Sequence, residues 1–128
     1  MRFRTRAGFS LVEVFAVLMV ISILVGLAIP RFREYKRKYY ITVMTSDLRN
    51  LAVTEEAYWS EEGTYSMDVG ALKFVASPDV KVTMITADTT GWSARASHEK
   101  NGATCAIYYA AAPALAPATV KNMIGCAK

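Results

Sequence analysis

Gly8-Phe9-Ser10-Leu11-Val12-Glu13-Val14-Phe15-Ala16-Val17-Leu18-Met19-Val20-Ile21-Ser22-Ile23-Leu24-Val25-Gly26-Leu27-Ala28-Ile29-Pro30 is the stretch from which the fold is read. Between Phe9 and Ile29 the only ionisable side chain is that of Glu13. A helix rising about 1.5 Å per residue needs about 20 residues of this kind to cross a bilayer, so residues 9–30 read as a membrane-spanning helix. Glu13 is the informative member, because an acid inside an apolar span costs roughly 2.5–3.5 kcal/mol on insertion scales and asks for a partner. No basic residue within the span offers one. Cutting the chain after Gly8 would supply it: the new amine of Phe9 stands four residues from Glu13, one helical turn away on the same face. That amine can pair with Glu13 of its own chain or of a neighbouring copy.

Downstream, Pro30 lacks the N–H that would bond to the carbonyl of Gly26, and its ring crowds that carbonyl. Gly26 is itself a weak helix former, so Gly26 and Pro30 mark the softest turn of the helix, as a static kink or as a segment able to melt. Beyond it the pattern becomes one-sided. Ile41, Met44, Leu48, Leu51, Ala52, Glu55, Tyr58 and Trp59 recur at spacings of three and four, with Lys38, Ser46, Asp47, Arg49, Asn50 and Glu56 largely opposite. An amphipathic half, residues 31–62, therefore continues the helix until Gly63 stops it.

The remaining residues, 63–128, must cover the apolar face of that half. Residues 63–72 are turn-rich and read as a connecting loop. Residues 80–86, 92–98 and 104–110 alternate as strands, separated by turns at 88–91 and 99–102. Three antiparallel strands on a helix make a small α+β core. Pro113 and Pro117 make the rest a loop or edge segment running to Cys126. Cys105 and Cys126 are too few for a disulfide scaffold or a zinc site. They read either as one bridge closing the C-terminal region, which requires an oxidising compartment, or as two reduced and buried residues.

The 128 residues leave room for one small domain beyond the span. The net charge of +4 invites a nucleic-acid or anionic-lipid reading. Yet residues 1–8 carry Arg2, Arg4 and Arg6 and no acid, so their removal takes Lys+Arg from 15 to 12 against 11 Asp+Glu, a balance of +1. The basicity is thus local, and its second focus is Arg31, Arg33, Lys36, Arg37 and Lys38. That cluster reads as contact with phosphates of DNA or lipid headgroups, or as solvated side chains snorkelling at a membrane exit.

A short basic leader ending in Gly8, followed by Phe9-Ser10-Leu11-Val12-Glu13 and a long apolar helix, resembles the class III signal of type IV pilins and type II secretion pseudopilins. The resemblance implies that a prepilin peptidase and methyltransferase cleaves residues 1–8 away between Gly8 and Phe9 and N-methylates Phe9. It also implies that Glu13 serves subunit docking. A pilin so processed is held in the inner membrane, its N-terminus cytoplasmic and its C-terminal domain outside, until an assembly platform polymerises it into a cell-surface filament used for motility, adhesion or DNA uptake. Five basic residues after the span against three before it would favour the opposite orientation. The cysteines and the leader outweigh that bias. The downstream layout, from helix spine through loop and antiparallel sheet to a disulfide-closed C-terminal region, is similar to the same family. Pilins also often carry a helix-breaking proline at the place of Pro30. The alternatives within and outside the family are a secretion pseudopilin and a bitopic anchor presenting a binding domain.

Enzymatic chemistry is not what the sequence suggests. There is one histidine, His98, which reads as a strand-end residue, and no recognisable nucleophile–base pattern or glycine-rich phosphate loop. No cofactor or metal is implied. Phe32, Tyr35, Tyr39, Tyr40, Tyr58 and Trp59 read as packing residues at helical spacing in preference to a charge-hopping path.

Overall fold

The computed structural model describes residues 8–127, and the fold it gives is α+β. Its first element is one helix, α1 (Leu11–Glu62), followed by an antiparallel sheet of β1 (Val80–Ala87), β2 (Gly91–His98), β3 (Thr104–Ala110) and β4 (Gly125–Ala127), in that spatial order. The chain divides after Tyr35 into two compact units, described separately below.

In the first unit, Ser10 caps α1. Its hydroxyl accepts the Glu13 N–H at 3.2 Å, and its carbonyl accepts the Val14 N–H at 3.2 Å, satisfying donors that a helix start leaves orphaned. Every side chain from Leu11 to Ile29 is exposed. The helical assignment runs unbroken through Gly26 and Pro30. Ser22 returns its hydroxyl to the Leu18 carbonyl at 2.7 Å and so adds no free polar group to the apolar surface.

In the second unit, from Lys36 on, the apolar stripe of α1 lies in a common core with the sheet. Met44, Leu48 and Leu51 cluster with Val80, Met84, Trp92, Ala94, Ala96, Cys105 and Ile107. The alanines of β2 are small, which lets a helix lie close over the sheet, while Trp92 is the largest fully buried side chain. The helix ends as expected: Gly63, at φ 71°, donates its N–H to the Trp59 carbonyl at 2.8 Å.

Asp47 differs from its expected place. Assigned to the polar side by its charge, it is buried, and its carboxylate accepts the Ser77 N–H at 2.9 Å and the Ser77 hydroxyl at 2.8 Å. A carboxylate with two such donors tolerates burial that periodicity counts against it. Phe32, Tyr35, Tyr39 and Trp59 are largely exposed, and of these Tyr39 meets the ring of Tyr40 and Trp59 stacks on Tyr65. The fourth strand lies in the stretch that the sequence marks as a loop or edge segment. Three residues are too few to show alternation, and β4 is recognised by its register, with Cys126 opposite Cys105.

The expected bridge is present: Cys105 and Cys126 are disulfide-bonded across β3 and β4, and no cysteine is free among the described residues. Thr45 of α1 stands 3.8 Å from the Cys126 sulfur. Gly125 is needed here, because a Cβ on it would lie 2.5 Å from the Ala118 Cα and 2.6 Å from the Pro117 carbonyl oxygen. The returning segment thus passes directly over the strand.

Candidate functional site

The sequence-predicted site falls into three places. Gly8, Phe9 and Glu13 open the first unit, Gly26 and Pro30 lie further along the same helix, and Cys105 and Cys126 close the sheet. Residues 1–7, most of the expected leader, lie outside the described residues.

Gly8 has nothing within 4 Å of the position its Cβ would take, and the Phe9 side chain is 80% exposed. Because Ser10 caps the helix, Phe9 precedes α1, and the shared helix face expected for Phe9 and Glu13 is not formed in the uncut chain. Ser10 and Glu13 have the Ser-x-x-Glu spacing of a capping box, a signal of the helix start that the sequence carries. The serine half of that box is the bond from the Glu13 N–H to the Ser10 hydroxyl.

The surface after the junction is the chemically distinctive one. From Leu11 to Ile29 it offers methyl, methylene and phenyl groups, one carboxylate and one internally bonded serine. An uninterrupted apolar surface of this extent on a helix long enough to span a membrane requires lipid or protein around it. Immediately beyond it, Arg31, Phe32, Arg33 and Tyr35 alternate charge and aromatic rings, all exposed. This is the composition that settles at a headgroup layer.

The second unit buries Asp47, Glu55, Ser66, Ser93 and His98. Glu55 is 0% exposed; one carboxylate oxygen accepts the Ser66 N–H at 3.0 Å, and the other has no partner. Burial pushes the Glu55 carboxyl above its ordinary value, against the opposing pull of the Ser66 N–H. Glu56 accepts the Tyr65 hydroxyl at 3.1 Å. Burial, reinforced by that bond, pushes the Tyr65 phenol up to about 12. His98 ends β2, as expected, buried, with its ring 4.0 Å from that of Tyr40. No group of three His, Cys, Asp or Glu that could hold a metal occurs among the described residues.

Compared with known proteins, the sequence matches no family model and no curated protein.

Proposed function

We propose that the chain is a structural subunit, a pilin, that polymerises into a type IV filament at the cell surface after cleavage between Gly8 and Phe9. The observation that carries the reading is the helix surface from Leu11 to Ile29, wholly exposed, apolar throughout and bearing one carboxylate at its start. Lipid satisfies the hydrocarbon but not Glu13. Neighbouring copies satisfy both, since the helices pack on one another and the amine freed at Phe9 of one copy meets Glu13 of the next. In this reading the inner membrane stores the subunit, and the prepilin peptidase and the assembly platform are its transient partners.

Two further features agree with this role. The sheet is closed by a disulfide, which suits an oxidising exterior. The second unit also carries an apolar groove of ≈ 470 Å³ whose lining includes Ala52, Val53, Ile107, Met123 and Ile124, a surface that further copies can cover. The role is non-enzymatic. One observation favours a second reading: the Ser10 cap uses the Glu13 N–H as any helix start would, and a plain bitopic anchor needs nothing more from this turn.

Intact mass of the chain purified from membranes separates the two. The filament subunit is expected to begin at N-methylated Phe9. A mass corresponding to a start at Met1, or at any residue other than Phe9, contradicts the proposal.

A further inference from the structure

The second unit contains a cleft of ≈ 380 Å³ whose lining combines aromatic rings with an ion pair: Tyr39, Tyr40, Asp79, His98 and Lys100 are its chemically active members. Tyr40 lies against His98 with ring centroids 4.0 Å apart, and Tyr39 meets Tyr40 edge-on at 5.7 Å. Tyr39 itself is 64% exposed, a large aromatic surface that the fold leaves uncovered. Opposite charges stand beside these rings, with Lys100 Nζ 2.6 Å from Asp79 Oδ2. The bond between them holds the Asp79 carboxyl below its ordinary range and the Lys100 ammonium above its own. His98 Nδ1 accepts the Lys100 backbone N–H at 3.2 Å.

We infer that this cleft binds a neutral pyranose unit carried on a larger glycan. The carbon-bound hydrogens of a pyranose form an apolar face that covers an exposed tyrosine ring and removes it from water. Each sugar hydroxyl both donates and accepts, so adjacent hydroxyls match a carboxylate acceptor and an ammonium donor held side by side. The ion pair cancels the charge of the cleft. A phosphate or carboxylate ligand would meet the Asp79 charge beside Lys100. Tyr39, Pro78 and Lys100 are exposed at the margin, so the reducing end of a bound ring has an exit along which further sugars can extend. This inference is independent of the filament reading.

The test is saturation-transfer-difference NMR on the full-length chain in amine-oxide micelles, which bring no sugar headgroup. The probes are methyl β-glucopyranoside, methyl β-galactopyranoside and methyl N-acetyl-β-glucosaminide, each locked at the anomeric carbon as in a glycan. Saturation of ring C–H protons is expected for at least one, with Kd on the order of 1 mM because only one ring is buried. Tyr39→Ala and Asp79→Asn should each weaken binding tenfold or more, while Tyr39→Phe retains it. Lys100→Gln, at an exposed position, provides an independent loss should either of the first two variants fail to fold by circular dichroism. The inference is overturned if no pyranoside is saturated, if only a free reducing sugar is, or if Tyr39→Ala binds as the wild type does. It is likewise overturned if inorganic phosphate binds instead and Lys100→Gln abolishes that.

Discussion

Two carboxylates of α1 show what charge alone reveals and conceals. Glu55 belongs to the apolar stripe by spacing and is buried there, while Asp47, placed on the polar side, is buried as well. What decides Asp47 is Ser77, thirty residues away, whose two donors meet it. No local pattern contains that encounter. Glu55 is less well provided for, since one oxygen has no partner. An unsatisfied buried polar atom costs about 1–3 kcal/mol, and more when charged. With its folded-state value raised above 4.5, Glu55 contributes stability that is fully present below pH 4.5 and lost as pH rises through the folded-state value. Asp79 and Asp88 are held below 3.8, so their contributions are lost only in more acidic solution and do not overlap this window. Glu55→Gln should therefore gain stability relative to the wild type as pH rises from 4.5 to neutrality (about 7). Urea unfolding followed by the fluorescence of buried Trp92 measures the difference, and a difference independent of pH would refute this account of Glu55.

At the scale of elements, the sequence was most legible where a pattern repeats. The helix and its stop at Gly63, and the three longer strands with their turns, follow from periods sustained over seven or more residues. The register shift between Met84 and Thr86 and the three residues of β4 were not legible, because each is fixed by pairing across strands. The disulfide ties that last strand to β3, enclosing a sequence separation of 21. On the chain-entropy model a loop of this size contributes roughly 3 kcal/mol. The variant carrying both Cys105→Ser and Cys126→Ser should lose about that much in denaturant unfolding while keeping β1 to β3. Equal midpoints for the wild type with and without reductant would show that the bridge contributes nothing to the stability of this unit.

On the scale of the whole molecule, the part read most directly from sequence, the apolar span with one acid, is the part on which the proposed filament role rests. Its side chains touch nothing that would cover them within the first unit. Glu13 and the Phe9 amine are each expensive in lipid, and leaving one of a buried ion pair without the other costs about 3–5 kcal/mol. In the proposed filament, a docking subunit that unites the two gains both attraction and axial register. Glu13→Ala should accordingly leave cleavage, the disulfide and membrane levels near normal and abolish assembly. Electron microscopy of material sheared from cells that make this chain as their only such subunit tests this most directly. Long fibres from the wild type and none from Glu13→Ala are expected; fibres at wild-type abundance from Glu13→Ala, or none from the wild type, would contradict it.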